Sequence, residues 1–131
     1  MRIVIPETYS QKRHRTSKNG HRYDPSAKDK KIIRQHLLPI KPKEPLESKL
    51  EVHITAFFKT PTSWSDKKKS EVEGEYRPKT PDTDNIEKIL FDSMNGYIFK
   101  DDKQIVRCVT EKRYSVKPAT VIRINEIKEA D

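Results

Sequence analysis

The sequence has a single cysteine, Cys108, in 131 residues, so it excludes a scaffold held together by disulfide bonds. No apolar run approaches the roughly 20 residues that a membrane-spanning helix needs. No apolar segment of a secretory signal follows the basic start either. These absences predict a cytoplasmic protein in a reducing compartment, with no membrane among its partners.

Hydrophobic residues are also scarce, at 32% of the chain, whereas charged residues make up 37%. The length is that of one domain, and the sequence shows neither an internal repeat nor a second domain. We therefore expect residues 1–131 to form a single domain. A small apolar fraction in a short chain predicts a small core, which makes homodimerisation an expected source of further burial.

The excess of positive charge is concentrated in one segment. The chain has 28 Lys and Arg against 20 Asp and Glu, a net charge of +8, and residues 11–35 alone carry +7. Such a segment predicts contact with the phosphates of a nucleic acid, and the alternative is a solvated basic loop. The candidate DNA-binding residues are Lys12, Arg13, Arg15, Lys18 and Arg22, together with the later run Lys67, Lys68 and Lys69.

A second segment, residues 82–102, has the opposite sign, with a net charge of −4. Acids beside a DNA-binding surface repel phosphate, so they add nothing to a protein that only holds DNA. They become useful where a divalent cation lies between them and the phosphate. This contrast between the two segments is the most informative feature of the sequence.

Hydrophobic periodicity predicts the order β, loop, α, β, α, β, β, which is an α+β domain with a mixed sheet and two main helices. Ile86, Ile89 and Leu90 form the apolar stripe of a helix over 84–94, which Asn95-Gly96 ends. The last two strands are predicted to pair as a hairpin. The other predicted elements are a strand over 2–6, a loop or β-excursion over 7–24, a helix over 25–38 capped by Ser26, a strand over 49–58, a helix over 65–72, and the hairpin strands 105–115 and 119–127.

Several acids and one lysine are spaced for metal chemistry. Asp82 and Asp84 are two residues apart at the extended entry to a helix, so both side chains point to one side, and Lys88 follows one helical turn later. If the next strand pairs near the start of this helix, Asp101 and Asp102 return to the same place. Three carboxylates would supply the oxygen ligands that Mg²⁺ or Mn²⁺ prefers.

The same residues also allow a purely structural interpretation. Asp84 and Glu87 could cap the helix, Asp84 and Lys88 could form a surface ion pair, and residues 101–102 could be turn residues. Capping leaves Asp82 and the pair at 101–102 unexplained. On this interpretation the chain is a non-enzymatic basic nucleic-acid-binding module.

The motif residues resemble those of the RusA-type Holliday-junction resolvases. The sequence reads PDTDN at Pro81–Asn85, then Lys88, then DSMNG at 92–96 and DDKQI at 101–105, and the resemblance spans 52–112. It departs from the family at Thr80, which separates Lys79 from the following proline. The resemblance implies a RusA-like fold and a small homodimeric endonuclease that needs Mg²⁺ or Mn²⁺ but no small-molecule cofactor. It also implies symmetric cleavage of branched DNA, the four-way junction, in DNA recombination and repair.

The resemblance also implies a role for each matching residue. Asp82 and Asp84 match two metal ligands, and Asp102 matches the third, although a difference of one residue leaves Asp101 open. Lys88 matches a lysine that cleavage needs. The implied catalytic residues are therefore Asp82, Asp84, Lys88 and Asp102.

Overall fold

The structure is a computed structural model that describes residues 1–13 and 15–128. The predicted loop before the first helix contains a small hairpin. One turn of 3-10 helix follows the first helix, and another precedes the strand that begins at Ile105. In chain order the elements are β1 (Arg2–Ile5), β2 (Arg15–Thr16), β3 (Arg22–Tyr23), α1 (Ala27–Leu37), a 3-10 turn (Leu38–Ile40), β4 (Lys49–Lys59), α2 (Asp66–Val72), α3 (Thr83–Met94), a 3-10 turn (Asp102–Gln104), β5 (Ile105–Ser115) and β6 (Ala119–Ile127).

The main sheet is mixed and has the strand order β1-β6-β4-β5. β4 runs parallel to β5 and antiparallel to β6, and β6 runs antiparallel to β1. The alternation predicted for β4 is confirmed, since Leu50, Val52 and Ile54 are fully buried against the helices. The predicted α+β class with a mixed sheet is therefore correct, with three helices.

The predicted hairpin of the last two strands is wrong, because β4 lies between β5 and β6. Residues 116–118 cross the end of β4 and do not form a tight turn between paired neighbours. The segment between β4 and β5 contains α3, and a crossover of this length allows the two strands to pair in parallel. β4 also pairs with β6 on its other side, which a hairpin of β5 with β6 would prevent.

Helices α1 and α3 pack against each other on one face of the sheet. α3 contributes Ile86, Ile89, Leu90 and Met94 to the core, as its apolar stripe predicts. The helix ends before Gly96, whose φ of +79° is the left-handed conformation predicted for this position. None of the helices in the described residues is long and apolar enough to cross a membrane.

The opposite face of the sheet is more open. Val4 on this face is 49% exposed, and a shallow cavity of about 300 Å³ lies between Arg2, His53, Phe57 and Arg123, among other residues. The alternate residues of β4 on this side are only half-buried.

Candidate functional site

The two acids of the PDTDN motif lie at the N-terminal end of α3, and neither carboxylate is engaged. Asp82 immediately precedes the helix with extended backbone dihedrals (φ −71°, ψ 150°), and Asp84 lies in the first turn. Both residues are exposed. Within the part of the chain that the structure describes, neither side chain makes a hydrogen bond or an ion pair. Two carboxylates at the positive end of a helix are thus available to a ligand.

The capping interpretation fails in its particulars. Asp82, not Asp84, holds the capping position, and its side chain makes no capping hydrogen bond. Glu87 does not close a capping box, because its Oε1 accepts a hydrogen bond of 2.7 Å from Oγ1 of Thr110 on β5. Helix capping therefore does not account for the pair of acids.

The backbone that leads into Asp82 is fixed by two basic side chains from neighbouring segments. Nζ of Lys112 on β5 donates hydrogen bonds to the carbonyl oxygens of Lys79 and Pro81, at 2.7 and 2.9 Å. Nη1 of Arg77 donates to the carbonyl oxygen of Thr80 at 2.7 Å. Lys112 was not among the residues predicted for the site, although a lysine on the core-facing side of a strand is a usable signal.

The basic segment meets the start of α3 at a cavity of about 510 Å³. The backbone N–H of Gln11 donates to the carbonyl oxygen of Asn85 at 2.8 Å, which anchors the segment beside the acids. The positively charged and amide side chains of both parts face this space. It is lined by Gln11, Lys12, Arg13, Arg22, Asn85 and Lys88.

Four other candidate DNA-binding residues, Lys18, Lys67, Lys68 and Lys69, do not line this cavity. Lys18 is exposed near the tip of the β2–β3 hairpin, and the side chain of Arg15 lies outside the described part of the structure. Lys67, Lys68 and Lys69 lie on α2, where Nζ of Lys68 is 3.8 Å from the centre of the Trp64 ring.

Trp64 connects α2 with the segment before the acids. Its ring is 5.7 Å from that of Tyr114, and Nζ of Lys79 lies 5.8 Å from its centre. Trp64 is half-buried and packs against Tyr114. The lysines on α2 thus form a second basic surface, separate from the cavity.

Asp101 and Asp102 differ in what their carboxylates do. Oδ1 of Asp101 accepts a hydrogen bond of 2.9 Å from the backbone N–H of Lys103, which caps the 3-10 turn. Gln104 completes this capping box, and its Nε2 donates to the carbonyl oxygens of Leu46 and Ser48. In the described residues the Asp102 carboxylate makes no such bond, so it is the available acid of the two.

The expected return of this acid pair to the start of α3 does not occur within one chain. Glu87, early in α3, contacts Thr110, while Lys112 contacts the segment before Asp82. α3 therefore runs antiparallel to β5, and Asp102 lies at the opposite end of that strand. Seven residues of strand separate Lys112 from Ile105, a distance of roughly 20 Å. Among the described residues, no three His, Cys, Asp or Glu side chains form a group that could hold a metal ion.

A chain of alternating charges lies behind the cavity. Nζ of Lys30 contacts Oδ2 of Asp24 at 2.7 Å and Oδ2 of Asp92 at 3.3 Å. The same Asp92 oxygen is 3.5 Å from Nζ of Lys88. Oδ1 of Asp24 accepts a hydrogen bond of 2.8 Å from Nε2 of Gln11. Lys30 belongs to the basic segment 11–35, but its side chain is only 13% exposed and binds acids of the fold.

These contacts shift the pKa values of both members of the closest pair. The hydrogen bond from Lys30 is the main reason why the pKa of Asp24 falls from 3.8 to about 2, and partial burial opposes it. Burial lowers the pKa of Lys30, but its bonds to Asp24 and Asp92 outweigh that effect, so its pKa is raised overall. Both groups are thus held in their charged forms.

A small α+β domain with free acids beside a basic cavity has the general features of a protein that acts on nucleic acid. The family model described as Endodeoxyribonuclease RusA matches residues 6–125, which includes both the basic segment and the acids. The chain therefore belongs to the RusA endodeoxyribonuclease family, as its motifs predict.

A protein of Bacillus subtilis (strain 168) is similar over nearly the whole chain. It is described as Uncharacterized protein YqaN and is 31% identical over 135 aligned positions, which cover 95% of this chain and 94% of the relative. The similarity thus extends well beyond the motif residues 81–105.

Proposed function

We propose that this protein is a metal-dependent endonuclease that resolves four-way DNA junctions by symmetric phosphodiester hydrolysis, in DNA recombination and repair. The observation that carries the proposal is the unengaged pair Asp82 and Asp84 beside a basic cavity, in a chain of the RusA family. The acids repel DNA unless a cation accompanies them, and the cavity attracts its phosphates.

The acids fit Mg²⁺ or Mn²⁺ by their chemistry. Asp82 and Asp84 offer exposed carboxylate oxygens with no competing partner in the described residues, and Asp102 offers a third. Asp101 is the weaker candidate, since its carboxylate already caps a turn. A cation held there would lower the pKa of a bound water and polarise the scissile phosphate.

The cationic side chains of the cavity have a separate role. Lys12, Arg13 and Arg22 neutralise the backbone of the bound DNA and fix its position without reading sequence. Lys88 lies on the same wall, one helical turn beyond Asp84. Its ammonium stabilises the negative charge that grows on the phosphate as the bond to the leaving oxygen breaks.

The outer edge of β5 supports the proposed homodimer. Segment 74–77 covers the edge only at Lys112 and Tyr114, whose outward backbone groups it pairs. By the two-residue period of a strand, which the register keeps from Arg107 to Ser115, the outward groups of Cys108 and Thr110 have no backbone partner in the described residues. Val106, in the β-bulge that precedes them, is 60% exposed. An unprotected edge of this kind favours pairing with another strand.

We place a second copy on this edge, antiparallel and related by a two-fold axis near Cys108. Because α3 runs antiparallel to β5, the two α3 helices would then lie in opposite directions across the axis. The start of one α3 would face the end that carries Asp102 of the partner subunit. The dimer would therefore supply the third acid that a single chain does not bring to Asp82 and Asp84.

A proline at the edge tests this interface. Cys108→Pro removes an outward N–H without removing a hydrogen bond to β4, so sedimentation should show a monomer, while Cys108→Ala should remain a dimer. A dimer that survives in Cys108→Pro would place the interface elsewhere, with the open sheet face around Phe57 the next candidate.

The nuclease proposal is tested with a labelled synthetic four-way junction, incubated with Mg²⁺ or with EDTA, and with a linear duplex of the same sequence as control. We expect paired, symmetric nicks in the junction with Mg²⁺ and none with EDTA. Tight junction binding without nicks under any metal condition would leave the non-enzymatic binding module as the function.

A further inference from the structure

Lys88 has two acids within reach on the same face of α3, and it contacts only one of them. Asp84 precedes it by four residues and Asp92 follows it by four. Its Nζ lies 3.5 Å from Oδ2 of Asp92, whereas within the described residues Asp84 has no ion pair. In isolated helices the order of acid before lysine is the better one. The preference of an isolated helix would therefore pair Lys88 with Asp84, so the pairing with Asp92 must come from the tertiary structure.

The fold holds Asp92 in a fixed place. Its Oδ2 also contacts Nζ of Lys30 at 3.3 Å, and Lys30 is bound in turn to Asp24 at 2.7 Å. The backbone carbonyl oxygen of Asp92 accepts a hydrogen bond of 3.2 Å from Nη2 of Arg34. The Asp92 side chain is 30% exposed, against 53% for Lys88. The carboxylate is thus anchored between α1 and α3 and presents the same oxygen to Lys88.

The choice of partner matters if the acids bind a cation, so this step rests on the proposed function. An ammonium on Asp84 would compete with a divalent cation for the same carboxylate. With Lys88 drawn toward Asp92, Asp84 stays unpaired and the ammonium stays on the wall of the basic cavity. The contact between Lys88 and Asp92 thereby keeps the Lys88 ammonium away from the Asp84 carboxylate, which would bind the cation.

We propose that Asp92 is a positioning residue, anchored by Lys30, that keeps Lys88 off Asp84 and so leaves Asp84 open to a divalent cation. Asp92 itself need not touch the cation or the DNA.

The experiment measures binding of Mn²⁺ alone to the DNA-free protein, by the electron paramagnetic resonance signal of the unbound ion. Asp92→Asn should weaken Mn²⁺ binding, because Lys88 then turns to Asp84 and an i,i+4 pair competes by about twofold. Asp92→Glu keeps the charge and should retain the wild-type affinity. A thermal melt of each variant checks that it is folded.

Lys88→Met provides the control background, since no ammonium is left to compete. There, Asp92→Asn should change Mn²⁺ affinity by less than it does with Lys88 present, and the difference measures the coupling between the two residues. An equal effect in both backgrounds would overturn the positioning role and leave the metal site intact. No Mn²⁺ binding by the wild-type protein would overturn the proposed metal site, and this inference with it.

Discussion

The segments that enter α1 and α3 each carry an aspartate just before the helix, and the two acids are used in opposite ways. Asp24 accepts hydrogen bonds from the side chain of Gln11, the backbone N–H of Ser26 and the ammonium of Lys30. Asp82 accepts none through its side chain in the described residues. The first carboxylate is consumed by the fold, and the second is left for a ligand. Substitutions in the two places should therefore have different consequences.

The largest effect is expected at the entry to α3. Asp84→Asn should reduce junction cleavage by at least about 100-fold, because it removes a ligand of the proposed cation, and loss of even an outer partner of a metal site costs 10–100-fold. Its thermal midpoint should match the wild type, because the carboxylate supports no contact in the described structure. The measurements are the nicking rate with Mg²⁺ and a thermal melt.

Junction affinity without metal distinguishes a ligand from a structural residue at this position. Removal of one repulsive charge should leave binding of the labelled junction unchanged or tighter. If binding and cleavage fall together, Asp84 has a structural role like that of Asp24, and the two helix entries do not differ in the way proposed.

The next effect concerns the basic loop that Asp24 holds in place. Lys12, Arg13 and Arg15 changed together to Ala should flatten the dependence of log affinity on log salt by up to about 3 units, because up to three phosphate contacts are lost. Fluorescence anisotropy of a labelled junction over a salt series measures the slope. Lys43, Lys117 and Lys128, three exposed lysines outside the basic segment, changed together to Ala are the matched control. An unchanged slope in the triple variant would place the DNA elsewhere.

Periodicity predicted the elements well because it reports which side of each strand or helix is buried. The stripe of Ile86 and Ile89 and the alternation of Val52 and Ile54 both correspond to buried faces. Periodicity does not report which strand lies beside which, so the predicted hairpin missed the central place of β4. The position of Asp102 was missed for the same reason, since a parallel β4–β5 pair requires the intervening α3 to run back along the sheet.

The sequence shows where the acids lie along the chain, but it does not show which carboxylates are bound by other side chains of the fold. Asp82 and Asp84 were predicted from their spacing, and Asp102 was preferred to Asp101 from the family resemblance; all three carboxylates are unengaged in the described residues. The ion pair of Asp24 and Lys30 was not predicted, because residues 11–35 were interpreted by their net charge alone. Their partners are Asp92 on another helix and Gln11 on a loop, and only the tertiary structure brings these together.

A moderate effect on stability is expected at the entry to α1. Lys30→Met leaves Asp24 and Asp92 without their shared cation, and a partly buried acid without its partner costs about 2 to 3 kcal/mol. Urea denaturation at pH 7 should show a lower midpoint with an unchanged slope. Lys31→Met should stay within about 0.5 kcal/mol of the wild type, because Lys31 is exposed. Equal stability of the two variants would contradict the structural role of Lys30.

The smallest effect is a difference in acid sensitivity. The pKa of Asp24 is about 2 in the folded protein against an ordinary 3.8, so its contribution is fully present above pH 3.8 and is lost as the pH falls through 2. A shift of this size corresponds to about 2 kcal/mol. Asp24→Asn should therefore lose less stability than the wild type over this interval, in urea denaturation at each pH. Asp82→Asn keeps the Asp24 contacts and should follow the wild type, because it leaves the ion pair at the entry to α1 unchanged.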